Sequence, residues 1–116
     1  MTLAEFLDWD PADKSGRLWQ LIDGEPVAMA PGSEDHAALQ GETAAVIRNH
    51  LLSQRSKCRM LTEAGIVPRL RASRNYRVPD ITVTCAPPGG GQTVAEPVLL
   101  VEILSPGNDA LTRSNM

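Results

Sequence analysis

The sequence predicts a single α+β domain over residues 1–116, with an N-terminal β-hairpin and one main helix packed on a mixed β-sheet. A tight-turn dipeptide between two apolar runs predicts the hairpin, and a long stretch with helical periodicity predicts the helix. Short apolar runs bounded by Gly and Pro predict further strands. A chain of 116 residues, 42% of them apolar, is enough for one small core.

The N-terminal hairpin is predicted by Asp23-Gly24, which readily adopts the positive φ angles of a two-residue turn. Apolar residues at 18–22 and 26–29 flank this dipeptide. Because Pro26 has no backbone N–H, its strand is expected at a sheet edge. A short helical segment over residues 2–13 is expected before the hairpin.

The main helix is expected to begin at a cap formed by Ser33 or Asp35 and to run to about Ser53. Its predicted packing stripe and the residues beside that stripe are Thr43, Ile47, Leu51, Leu39 and Val46. Residues 58–63 and 66–70 are then expected to form two short strands or one bent strand, and further strands are expected at 77–85 and 98–104. Residues 110–116 have the pattern of one or two further helical turns, so we expect the domain to be incomplete after Met116.

The composition excludes several classes of function. Aromatic residues make up 3% of the chain, too few for a platform that stacks single-stranded nucleic acid. Cys58 and Cys85 have no CxxC spacing and follow no leader segment, which predicts a reduced cytoplasmic protein with both cysteines as small buried apolar residues. No apolar run approaches the roughly 20 residues of a membrane span, so we expect no membrane partner.

The net charge of −3 hides a strong segregation of charge along the chain. Residues 1–47 carry nine acids and two bases, whereas residues 48–77 carry eight bases and a single acid, Glu63. The basic segment is either a solvated surface or a DNA-binding surface that contacts phosphates, and the second would give a steep salt dependence. Glu63 is either a partner for a neighbouring arginine or a third metal ligand.

Two apolar runs each carry one carboxylate where a buried strand should have none. Asp80 lies in the run 78–83 and Glu102 in the run 99–106. An unpaired buried carboxylate is costly, so such a residue usually meets a cation. The two acids are either ordinary strand-end residues or neighbours that share one hard cation such as Mg²⁺.

Four blocks of this sequence together resemble the Uma-two family of the PD-(D/E)xK nuclease superfamily. The blocks are residues 19–25, His36, residues 78–81 and residues 101–106, in the family's order. The resemblance implies a restriction-endonuclease-like fold, a DNA endonuclease activity, and Asp80 and Glu102 as ligands of Mg²⁺ or Mn²⁺. It further implies the backbone carbonyl of Ile103 as a ligand and His36 as a catalytic residue that orients a water or substrate oxygen. As an alternative, His36 is a capping or packing residue.

One departure from the family pattern concerns the lysine that activates water. The superfamily places it two residues after the second acid, where this chain has Leu104, and the family's alternative position in the next helix falls near 113–116, which holds no lysine. Arg113 is a poor general base. We therefore expect little or no cleavage by this chain. The alternatives are a non-catalytic DNA- or protein-binding domain, or a truncated fragment that folds as a homo-oligomer, most simply a dimer, in which another copy covers an open sheet edge.

Overall fold

The computed structural model describes residues 1–9 and 18–104. Its elements in chain order are α1 (Leu3–Asp8), β1 (Trp19–Ile22), β2 (Glu25–Ala28), α2 (Glu34–Ser53), β3 (Arg59–Thr62), a 3₁₀ turn (Ala72–Arg74), β4 (Ile81–Thr84) and β5 (Pro97–Val101). Strands β1 and β2 form a hairpin, and β3, β4 and β5 form a three-stranded sheet with β4 at its centre. This confirms the predicted α+β class with a hairpin and one main helix. In the described ranges, no helix has the length and apolar character that crossing a membrane requires.

The hairpin forms as the sequence predicts. Asp23 and Gly24 make the turn with φ angles of 48° and 88°. Pro26 pairs with Leu21, and within the described residues β2 pairs only with β1, so the strand that contains the proline is an edge strand. Leu21 on β1 is completely buried and anchors the hairpin in the core.

The hairpin is attached to the segment that leads into β4. Leu21 and Tyr76 exchange two backbone hydrogen bonds of 2.9 Å each. The Asn75 side chain accepts from the Asp23 backbone N–H at 3.1 Å and donates to the Asp23 carboxylate at 3.2 Å. These bonds hold β1 beside the chain immediately before Asp80.

Helix α2 spans the predicted range and is capped by Ser33, whose hydroxyl accepts from the His36 backbone N–H at 3.1 Å. Thr43, Ile47 and Leu51 are half-buried, as the predicted stripe requires. Leu39 and Val46 are 50% and 69% exposed, so the packed face of the helix is narrower than predicted. The helix packs mainly against β3.

The predicted strand at 66–70 is wrong. This segment makes only isolated bridges, Gly65 with Thr93 and Ile66 with Arg77, and Pro68 supplies no N–H to extend a ladder. The last two predicted strands are shorter than expected. β4 begins only after Pro79, and β5 ends before Glu102, which puts both acids just outside the ends of their strands.

Cys58 and Cys85 form a disulfide bond, so the prediction of two separate reduced thiols is wrong. Arg59 pairs with Thr84 in the β3–β4 ladder, and the next position outward brings the two cysteines opposite each other. A separation of 27 residues hid this pairing, because only the register of the two strands reveals it. The cytoplasmic location, which rested partly on reduced cysteines, stays a prediction.

The first predicted helix is present as α1, which Thr2 and Glu5 close with a capping box. The remainder of that prediction, at residues 10–13, lies outside the described residues. The predicted turn and helix over 105–116 also lie outside them, as does the alternative lysine position near 113–116.

Candidate active site

Asp80 and Glu102 lie side by side at one end of the three-stranded sheet. Ile81 pairs with Val101 in the antiparallel β4–β5 ladder, and the next positions outward are Asp80 and Glu102. The two strands are adjacent, as predicted, and each acid lies one residue beyond the paired end of its strand. That the two carboxylates share one ion stays a prediction. Asp80 is 9% exposed, so its carboxylate is largely removed from water.

The two carboxyl groups perturb each other. Burial, and after it the negative charge of Asp80, raises the pKa of Glu102 to about 7, although a hydrogen bond from the Asp80 backbone and the charge of His36 act in the opposite direction. A carboxyl in this position resists ionising near neutral pH unless positive charge compensates. A cation bound at this pair would therefore replace the proton on Glu102.

The Asp80 side chain is oriented by two groups that meet one oxygen. Asp80 Oδ2 accepts from the Ile103 backbone N–H at 2.8 Å and lies 3.2 Å from His36 Nε2. Neither of these two contacts involves Asp80 Oδ1. The structure thus brings together all three predicted side chains, Asp80, Glu102 and His36, while their catalytic and metal-binding roles stay predictions.

The imidazole of His36 fits because residue 32 is a glycine. A Cβ added to Gly32 would lie 2.8 Å from His36 Nδ1, so a larger residue would push the ring away. When Nε2 carries the proton that faces Asp80, Nδ1 is the nitrogen able to accept a hydrogen bond. The Ser33 cap fixes the backbone of the same turn.

Two glutamines at this site were missed in the sequence. Gln40 Nε2 donates to the Asp80 backbone carbonyl at 3.0 Å, and Gln20 Oε1 accepts from the Val78 backbone N–H at 3.0 Å. The four-residue spacing between His36 and Gln40 places both on one face of α2, a signal that could have found Gln40. Gln20 lies in the first block of the family resemblance, residues 19–25, but nothing in the sequence indicates its bond to Val78.

The donor set fits Mg²⁺ or Mn²⁺, although it supplies few protein ligands. Two carboxylates face each other, and Mg²⁺ commonly binds through one or two carboxylates while retaining several waters. Over residues 1–9 and 18–104, no three His, Cys, Asp or Glu side chains are grouped to hold an ion. Glu63 is exposed and meets Asp80 only through its backbone N–H, at 3.3 Å. In the described part of the chain it also lacks the predicted arginine partner. The carbonyl of Ile103 as a ligand stays a prediction.

The basic residues do not all belong to one surface. Arg77 is 4% exposed and donates to Asn75 Oδ1 at 3.0 Å, and Arg71 pairs with Asp23 at 3.2 Å. Both therefore serve the attachment of the hairpin. Arg55, Lys57 and Arg59 are exposed where α2 connects to β3, and Arg69 and Arg74 are exposed before β4.

A cleft of about 550 Å³ lies between β3 and the loop at 86–95. Arg59, Glu63 and Tyr76 are among its lining residues, whereas Asp80, Glu102 and His36 are not. Tyr76 is held by Phe6, with ring centroids 5.4 Å apart, and by a hydrogen bond to the Gln92 carbonyl. The cleft is therefore separate from the carboxylate pair, and its aromatic ring is already engaged.

The fold of the chain is that of a solved nuclease-like protein. It superposes with a TM-score of 0.73 and 24% identity on a crystal structure described as a putative nuclease belonging to DUF820 from Anabaena variabilis, covering 98% of this chain and 65% of that one. The chain belongs to the Uma2 family, described as putative restriction endonucleases, whose model matches residues 3–115. An uncharacterised protein of Synechocystis is 29% identical over 111 residues, which are 94% of this chain and 56% of that protein. The chain thus spans between half and two thirds of the length of these relatives.

Proposed function

We propose that this chain carries the metal-binding site of a DNA endonuclease that hydrolyses phosphodiester bonds with Mg²⁺ or Mn²⁺. The observation that supports this most is the pair of carboxylates at the ends of β4 and β5, where Asp80 and Glu102 occupy opposed positions. Membership of the Uma2 family and the fold of a nuclease-like neighbour support the same class of reaction.

Asp80 and Glu102 would hold the cation, with the carbonyl of Ile103 as a further ligand. When bound, the metal supplies a Lewis acid that lowers the pKa of a coordinated water and stabilises charge on the phosphate. Asp80 is oriented by the Ile103 N–H and by His36, which both contact Oδ2. His36, whose Nε2 lies 3.2 Å from Asp80 Oδ2, would orient a water or a substrate oxygen.

The general base is the component that this chain lacks at the usual place. Leu104 is 45% exposed and occupies the position of the superfamily's lysine. Loss of a general base typically costs about 10²- to 10⁴-fold in rate. The same observation supports a second candidate function, a DNA-binding domain that keeps the fold without turnover.

A cleavage assay on plasmid DNA separates these candidates. Wild type should cut slowly in Mn²⁺, Glu102→Ala should not cut, and Leu104→Lys, which restores an amine two residues after the second acid, should cut at least about tenfold faster than wild type. Robust wild-type cleavage abolished by Glu102→Ala would show that another residue, such as His36, performs the lysine's task. No cleavage by either wild type or Leu104→Lys, with DNA binding retained, would favour the second candidate.

We also propose that two copies of this chain associate along β5 and that the protein lies in the cytoplasm. Strand β5 pairs on one side only within the described residues, and Val98, Leu99 and Leu100 are 64%, 47% and 36% exposed, which supports association of two copies along this edge. A monomeric mass in solution at micromolar concentration would contradict the homodimer. We keep the cytoplasm as the proposed location.

A further inference from the structure

We infer that Gln20 and Gln40 are positioning residues that fix the backbone of Asp80 so that its carboxylate faces Glu102. The inference rests on the proposed function, because it assigns these residues a purpose in the same metal-binding site. Neither glutamine touches the proposed ion. Each acts through the short segment 78–80, which carries the first acid.

The segment 78–80 needs such support because it lies outside the strand ladder. β4 begins at Ile81, and Pro79 has no N–H to donate. Val78 and Asp80 are 5% and 9% exposed, so their backbone groups have little access to water and need partners in the protein. Buried backbone groups without partners would destabilise this conformation.

The two glutamines supply those partners from different elements. Gln20 on β1 accepts from the Val78 N–H at 3.0 Å, and Gln40 on α2 donates to the Asp80 carbonyl at 3.0 Å. The Glu63 backbone N–H adds a longer bond of 3.3 Å to the same carbonyl. The segment is therefore held between the hairpin, the main helix and β3.

Helix α2 contacts Asp80 at two separate atoms, and this links the backbone to the carboxylate. His36 Nε2 lies 3.2 Å from Oδ2, and one turn later Gln40 binds the carbonyl oxygen. Two contacts from one rigid helix fix the rotation of Asp80 as well as its position. The Asp80 carboxylate accepts a hydrogen bond from the Ile103 N–H. Loss of the Gln40 contact should let the carboxylate turn away from that donor.

The test compares Gln40→Met, which keeps the length of the side chain and removes the donor, with wild type. Leu39→Met is the matched control, since it lies next in the helix and is 50% exposed. The first measurement is hydrogen exchange of the Ile103 amide without metal, beside amides of the β3–β4 ladder. The second is the Mn²⁺ dissociation constant. Gln20→Met is measured in the same way, and if it does not fold, Gln40→Met decides.

We expect Gln40→Met to keep the melting temperature within a few degrees, to speed exchange at Ile103 selectively, and to weaken Mn²⁺ binding about tenfold. The control should change neither quantity. Unchanged exchange at Ile103 together with unchanged Mn²⁺ affinity would overturn the inference. Asp80→Asn distinguishes failure of the inference from failure of the proposed function. If Asp80→Asn binds Mn²⁺ as wild type does, the proposed metal site is wrong. Exchange at Ile103 in Gln40→Met still decides whether Gln40 positions Asp80.

Discussion

At the scale of single residues, both the carboxylate and the backbone carbonyl of Asp80 have partners within the described residues. His36 and Ile103 meet its carboxylate, and Gln40 and Glu63 meet its carbonyl. Glu102, directly opposite, is pushed towards its neutral form by burial and by Asp80. A buried carboxyl whose pKa is raised beside a second acid is typical of functional sites, since an apolar pair at these positions would be less costly for stability.

The raised pKa of Glu102 predicts that stability falls as pH rises. The pKa is about 7 in the folded protein against an ordinary 4.5, so the folded state binds more protons between those values. In metal-free buffer the free energy of unfolding should decrease from about pH 4.5 to pH 7 and then level off. After allowance for partial exposure, the loss should be on the order of 1 to 2 kcal/mol.

Urea denaturation at pH 5 and pH 7.5 in EDTA measures this change. Glu102→Gln should remove most of the pH dependence and be the more stable protein at pH 7.5. If wild type and Glu102→Gln lose stability in parallel across this window, another group is responsible.

At the scale of elements, the disulfide joins β3 to β4 at the end away from Asp80. Bonding Cys58 to Cys85 closes a loop with a sequence separation of 27 residues, which should stabilise the fold by about 2 to 4 kcal/mol through restriction of the unfolded chain. Reduction, or the double change Cys58→Ser and Cys85→Ser, should lower the free energy of unfolding by that amount. Thiol titration of the unfolded, unreduced protein should detect no free thiol. Two free thiols per chain would contradict the bond.

Local signals were enough to predict some elements but not others. Asp23-Gly24 and the Ser33 cap predicted the hairpin and α2, because turn and cap chemistry act within a few residues. The placement of Asp80 beside Glu102 was also predictable, since the connection between their strands is short. The disulfide and the isolated bridge at Ile66 were not predictable, because they depend on the register between distant segments.

At the scale of the whole molecule, the basic segment contains residues that bond near the hairpin and an external group at the start of β3. Arg77 and Arg71 support the hairpin, whereas Arg55, Lys57 and Arg59 are free to face a partner in the described structure. The external group, Arg55, Lys57 and Arg59, is therefore the part of the predicted basic surface that lies at the start of β3. Substitutions that remove positive charge should therefore have different effects in these two sets of residues.

Neutralising the external group should weaken DNA binding and make the affinity less dependent on salt. Arg55→Gln, Lys57→Gln and Arg59→Gln together should flatten the slope of log affinity against log salt by up to about three for duplex DNA. Arg77→Gln should instead lower thermal stability and leave the slope unchanged, because that side chain is buried. Fluorescence anisotropy across a salt series measures both. An unchanged slope in the triple variant would place the DNA surface elsewhere.

The most direct test of the central claim is the binding of Mn²⁺ by calorimetry to wild type, Asp80→Asn, Glu102→Gln and the control Glu63→Gln. We predict one ion per chain in wild type, binding at least about tenfold weaker in each of the first two variants, and unchanged binding in the control. Undiminished binding in both Asp80→Asn and Glu102→Gln would contradict the claim that these two carboxylates share one cation.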